Sequence, residues 1–152
     1  MKKRVSFLLA IVLLLSVLTG CGGKKELDPQ TLADDLLQNA EFTDSLSQLD
    51  PAVVAVLYGT DPADYDAVLS YAGTGATAEE ITVFTAKDSA AADRLLTLAQ
   101  DHVSARVEAF KNYGPGSAMS LEDAVVKKSG NHVVVIVCSD TKGAAKIADK
   151  YI

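Results

Sequence analysis

The chain has 152 residues, with 14 Lys and Arg against 20 Asp and Glu, a formal charge of −6. An acidic surface is repelled by phosphate backbones, which argues against nucleic-acid binding. There is no Trp and only 6% of residues are aromatic, so a sugar-stacking surface is not expected either.

The first element is a targeting segment. Lys2, Lys3 and Arg4 precede an apolar run from Val5 to Leu18, broken only by Ser6 and Ser16. That is the charge and core of a signal peptide, and the run falls short of the roughly 20 residues a spanning helix needs. Leu18, Thr19, Gly20 and Cys21 then resemble the lipobox of bacterial lipoproteins, an aliphatic residue and two small ones before cysteine. The resemblance implies diacylglyceryl transfer to the Cys21 thiol and cleavage just before it by the signal peptidase for lipoproteins. Two acyl chains anchor stably where one is marginal. The expected localisation is therefore the outer, extracytoplasmic face of the cell membrane. The expected organisation is a signal peptide over residues 1–20, a lipidated flexible tether over 21–27 and one domain over 28–152.

Three of the 14 cations lie in the leader, so a chain beginning at Cys21 has 11 against 20 acids, a charge of −9. Broad electrostatic adhesion to anionic lipid is unfavourable, although Lys24 and Lys25 beside the anchor add local attraction. With Cys21 lipidated, Cys138 is the one remaining thiol and no internal disulfide can form.

Along the domain, Asp28-Pro29 opens a helix, because Asp caps free amides and Pro suits the first turn. Leu32, Leu36, Leu37 and Ala40 make its apolar face. Asp50-Pro51 repeats the signal ahead of Val53, Val54, Leu57 and Tyr58, with Gly59 to close a short helix; the valines leave a strand open. Asp61-Pro62 opens a loop. Ala67 to Ala72 and Ile81 to Ala86 read as an antiparallel pair around Gly73-Thr74-Gly75. The longest helix is predicted from Asp88 or Ser89 to at most Tyr113, where Gly114-Pro115-Gly116 stops it. Its stripe is Ala92, Leu96, Ala99, Val103, Val107 and Phe110.

After a polar stretch, Ala124 to Lys128 and His132 to Cys138 read as a second hairpin around Ser129-Gly130-Asn131. The last strand is apolar on both faces, so it should be central and covered twice. Asp140 or Thr141 caps a final helix with Ala144, Ile147, Ala148 and Tyr151 inward. The expected fold is α+β: a small antiparallel sheet of about four strands in two hairpins, packed by a long central helix, with short N-terminal helices and a C-terminal one.

Ala78-x-Glu80-Ile81, Arg106 with Phe110 and Tyr113 before Pro115, and Gly130-Asn131-His132 together resemble a family of Gram-positive lipoproteins, the domain of unknown function 4358. An aromatic usually follows the Gly-Asn in that family, where this chain has His132. The resemblance implies a lipid-anchored α+β domain and brings no activity or cofactor with it.

The remaining candidates each have a plainer explanation. Ser139-x-x-Lys142 and Ser129-x-Asn131 match two signatures of penicillin-interacting enzymes, but in reversed order and without Lys-Thr-Gly, so a helix cap and a hairpin turn suffice. Asp61, Asp64 and Asp66 are close enough for a cation, yet lack the ligand count and sharp-turn Gly of a calcium loop. Glu79 and Glu80 should point to opposite faces of a strand and so cannot form an acid–base pair. His132 and Cys138 lie some 20 Å apart by strand rise. Cys138 is expected in the core, His132 at the hairpin end, and His102, one position before the helix stripe, in solvent. Gly73-Thr74-Gly75 lacks the helix start and Lys of a phosphate loop. No catalytic, cofactor or metal residue is therefore assigned. The expected function is a membrane-anchored binding module for an envelope protein or small ligand; a small envelope-acting enzyme is the alternative, and self-association a further possibility.

Overall fold

A computed structural model describes residues 27–112 and 114–152 of the chain. Leu18, Thr19, Gly20, Cys21, Lys24, Lys25 and Tyr113 lie outside the described residues. Leu27, at the end of the expected tether, is buried against the core.

Aspartates start four of the five α-helices among the described residues. The Asp28 carboxylate accepts the Gln30 amide and opens α1 (Pro29–Asn39); Asp50 accepts the Ala52 amide at 2.8 Å and opens α2 (Pro51–Tyr58). Asp88 accepts from Ala91 at 2.7 Å before α3 (Ser89–Phe110), and Asp140 from Gly143 at 3.0 Å before α5 (Thr141–Ala148). Each bond satisfies an amide that has no partner within the helix. The valines of α2 do not turn it into a strand, because Asp50, Pro51 and Gly59, at φ 65°, fix both its ends.

The strands are β1 (Ser47–Gln48), β2 (Tyr65–Ala72), β3 (Glu80–Ala86), β4 (Val125–Ser129) and β5 (His132–Val137). They form one antiparallel sheet in the order β1-β2-β3-β5-β4. Both predicted hairpins are present, and β5 is an interior strand, paired with β3 and β4 and buried at every position. The sheet has five strands rather than four. The extra one, β1, is two exposed residues with no apolar alternation, held to β2 by backbone pairing of Ser47 with Ala72 and Gln48 with Tyr71.

A second difference is α4 (Pro115–Glu122), in the stretch read as polar connection. Gly114-Pro115-Gly116 ends α3 as expected, but Pro115 also starts the next helix, where its missing amide costs nothing. Ala118 and Leu121, three apart, are its buried side.

Two apolar layers flank the sheet. On one face Phe84, Val133, Val135 and Val137 meet Ala92, Leu95, Ala99 and Val103 of α3, together with Val54 and Tyr58 of α2. On the other, Ile81, Val83, Val134, Ile136 and Cys138 meet Leu32, Ala33 and Leu36 of α1 and Ala144, Ile147 and Ala148 of α5. The period-two pattern of β5 thus feeds both cores at once.

Candidate functional site

All eight residues of α2, Pro-Ala-Val-Val-Ala-Val-Leu-Tyr, are apolar or aromatic. A two-turn helix can bury only one side, and here Val54 and Tyr58 take it. Val53, Val56 and Leu57 are left 46, 82 and 52% exposed. Isolated exposed aliphatics are ordinary, but three on one short helix form a patch.

Beneath that patch lies the chief buried polar cluster. The Tyr58 hydroxyl donates to Glu80 Oε1 at 2.6 Å, and Arg106 and His102 Nε2 reach Glu80 Oε2, the latter at 3.3 Å. His102 Nδ1 lies 3.1 Å from the Leu57 carbonyl oxygen, in the last turn of α2. The Tyr58 and His102 rings stack with centroids 3.9 Å apart, and Arg106 lies over the Phe110 ring. Phe84 makes T-shaped ring contacts with Tyr58 and Tyr65, centroids 5.2 and 5.5 Å apart. Both His102 nitrogens face acceptors: a proton on Nδ1 serves the carbonyl, one on Nε2 serves the carboxylate, and an imidazolium serves both.

Burial pushes the Glu80 carboxyl up, but the His102 hydrogen bond, the Arg106 and His102 charges and the Tyr58 hydrogen bond outweigh it and hold it below its ordinary range. The Tyr58 hydroxyl is pushed well above its usual value, first by burial and then by the Glu80 charge. The side chains of Glu80 and His102 are each 6% exposed, so neither is open to a substrate. Chemically the cluster is a clasp: it pins the last turn of α2 to β3 and α3.

This corrects the expectation that His102 faces solvent. It lies one position off the stripe that α3 turns to the sheet, and α2 packs over that flank. The available signals were the four-residue spacing of His102 and Arg106, which puts both on one side of α3, and an acid at the head of an apolar strand.

Glu79 and Glu80 do diverge. Glu79 instead accepts the Thr43 and Asp44 amides, at 2.9 and 2.8 Å, and the Thr43 hydroxyl. The amide and hydroxyl of Thr74 both donate to Asp44 at 2.8 Å, so the Gly73-Thr74-Gly75 turn already holds a carboxylate of its own chain. A Cβ at Gly73 would sit 2.6 Å from Asp44 Oδ2, so a larger residue there would displace that carboxylate. The Thr74 hydroxyl and then its amide hold the Asp44 carboxyl below its usual range.

Asp61 caps Ala63 at 2.8 Å, Asp64 receives a two-pronged bond from Arg94, and Asp66 is exposed. Among the described residues no three His, Cys, Asp or Glu are grouped so as to hold a metal ion. The Ser139 hydroxyl donates to the Glu41 carbonyl at 2.8 Å, while Lys142 is exposed. Cys138 is fully buried as expected, its thiol pushed up to about 11 by burial and then by the charges of Asp140 and Glu79. His132 is buried at the hairpin end, opposite Ser129 and Thr85.

The class these features define is an α+β domain with a five-stranded antiparallel sheet between two helical layers, one layer carrying a clasped helix with an aliphatic outer face. The model for the family described as Domain of unknown function (DUF4358) matches residues 38–138, and the chain belongs to that family. No curated protein and no solved structure matches the chain. The matched span contains every member of the clasp, Tyr58, Glu80, His102 and Arg106.

Proposed function

We propose that the chain is a lipoprotein, held by acyl chains on Cys21 at the outer face of the cell membrane, and that it works there as an interaction module through the outer face of α2. The observation that carries this reading is that face: Val53, Val56 and Leu57 stand in water on a helix whose inner side is fastened by directed bonds. Exposed hydrocarbon costs about 25 cal/mol per Å², and a pinned helix presents it without loss of order on contact. The Glu80 cluster supports holding rather than chemistry, since its carboxylate is enclosed and fully engaged. Lys-Lys-Arg, the apolar run and Leu18 to Cys21 support the anchor.

The test is a photo-crosslinking residue at position 56, compared with one at the exposed Lys146 on the opposite helical layer, in cells making the native chain or Cys21→Ala. Adducts from position 56 alone, lost in Cys21→Ala, are expected. Equal labelling from both positions would remove α2 as the contact surface. Separately, blocking lipoprotein signal peptidase should leave a larger precursor, and an unchanged size would remove the anchor.

A further inference from the structure

The composition and size of the α2 face narrow what it meets. We propose that it rests on the lipid bilayer itself, so that the domain touches the membrane at two points, Cys21 and α2; the proposal rests on the lipid-anchor reading above.

The first argument is chemical. The exposed residues of α2 are Pro51, Ala52, Val53, Val56 and Leu57, all hydrocarbon. They offer no side-chain donor, acceptor or aromatic ring of the kind that anchors specific protein recognition. Asp50 and Asp61, beyond the two ends of the helix, frame the patch with carboxylates.

The second argument is size. Two helical turns are about 12 Å long and about 10 Å across, a footprint on the order of 120 Å², far less than the roughly 800 Å² per partner of a stable protein interface. A face this small cannot hold a free partner or a second copy on its own. On a molecule already anchored, however, the second contact forms at high effective concentration, and a weak patch suffices.

The third argument is reach. Six peptide steps from Cys21 to Leu27 extend at most about 20 Å, whereas a domain of this size is on the order of 35 Å across. Such an anchor keeps the domain against the surface. The first turn of α1 and the segment leading into α2 also border the same end of β2: Gln30 Nε2 donates to the Tyr71 hydroxyl at 3.3 Å and the Leu49 amide to the Ser70 carbonyl at 2.9 Å. Leu27 and α1 belong to the layer opposite α2, so the chain arrives from its anchor near the β1-β2 edge of the sheet, with α2 on the other side of that edge.

The experiment uses the lipidated full-length protein, with an environment-sensitive dye on Val56→Cys or, as control, on Lys146→Cys. Position 56 is 82% exposed, so the label sits outside the fold. The protein is inserted into phosphatidylcholine vesicles whose acyl chains carry a nitroxide near the headgroup. Quenching at position 56 and none at 146 is the expected result. Because Asp50 and Asp61 oppose anionic headgroups, adding phosphatidylglycerol should lower the quenching and salt should restore it. Quenching that instead grows with phosphatidylglycerol would mean electrostatic adhesion and overturn the apolar contact. No quenching at 56, or equal quenching at both sites, on protein whose mass shows lipid on Cys21 overturns the contact and leaves the anchor standing. A dye shift that grows with protein concentration in the absence of vesicles assigns the face to self-association and also overturns it. An unmodified Cys21 removes the anchor reading and this inference with it.

Discussion

The two faces of the sheet share strands β3 and β5 but are held by different physics. Toward α1 and α5 the layer is chiefly hydrocarbon and one thiol, Leu32, Leu36, Ile81, Ile136 and Cys138; its buried polar groups stand at strand ends, Glu79 before β3, bonded to the loop at Thr43 and Asp44, and His132 opening β5, while contacts such as Tyr151 to Asp35, at 2.8 Å, lie outside it. Toward α2 and α3 a carboxylate lies inside the layer, bonded to Tyr58, His102 and Arg106, with Ser70 and Thr82 bonded to each other at 2.8 Å beside it. Burial of hydrocarbon is strong but non-directional, so it stabilises without dictating where a helix sits. Hydrogen bonds to a buried charge fix position, and they are costly when one partner is lost. The face that presents α2 uses them to fix a helix, whereas on the other face Glu79 uses them only to hold a loop.

The sharpest way to break this contrast is to delete a centre from each face. Glu80→Ala leaves Arg106, His102 and the Tyr58 hydroxyl without their acceptor and should cost about 3–5 kcal/mol. Leu36→Ala on the other face should cost about 2–5 kcal/mol through its cavity. Urea unfolding gives both totals, and amide exchange separates them: in Glu80→Ala the α2 amides should lose protection before the rest, whereas in Leu36→Ala α2 should stay seated. If both variants loosen α2 equally, the clasp holds nothing that packing does not.

Much of this architecture is legible in the chain because its signals are local. Asp-Pro at 28–29 and 50–51, Gly59, and the double periodicity of β5 specify caps and a central strand through a few neighbouring residues. What escaped was set by partners distant in sequence. The β1 pairing depends on backbone bonds to β2 and leaves no side-chain pattern. The α4 helix hides behind breaker residues that serve equally as its start. The clasp joins residues 58, 80, 102 and 106, and only the spacing of the last two was visible along the chain; a histidine beside an apolar stripe reads as exposed until a second helix is placed over it. Of the clasp, the family resemblance pointed to Glu80 and Arg106 but said nothing of what they do.

Acid should separate the faces with a smaller effect. The Glu80 carboxyl titrates lower in the folded protein than in the unfolded chain, where it would sit near 4.3. Its contribution is therefore fully present above that value and is lost as pH falls through the lower, folded one. Asp35 on the other face is lowered chiefly by the Tyr151 hydrogen bond, and Asp44 and Asp64 by theirs, but these lie at the surface where solvent screens them. Below about pH 4 the α2 amides should lose protection ahead of those in α1 and β5. In Glu80→Gln that order should vanish, because its amide does not titrate. An acid transition that opens both faces together in the native chain would place the pH sensitivity elsewhere.

The smallest effect makes the control. Successive residues of β4 point to opposite faces, so Lys127 reaches Asp149 beyond α5, at 2.6 Å, while Lys128 reaches Asp93 on α3. The chemistry is the same on each side, a lysine at an outer strand paired with a carboxylate more than half exposed. Pairs of this kind contribute between 0 and about 1 kcal/mol, and high salt screens them. Lys127→Met and Lys128→Met should therefore cost nearly equal amounts, both under about 1 kcal/mol, with the difference erased in molar salt. A large penalty for Lys128→Met alone would mean that the α3 face is more sensitive to any lost charge, wherever it lies. Equal and small penalties would confine the asymmetry to the one carboxylate buried beneath α2.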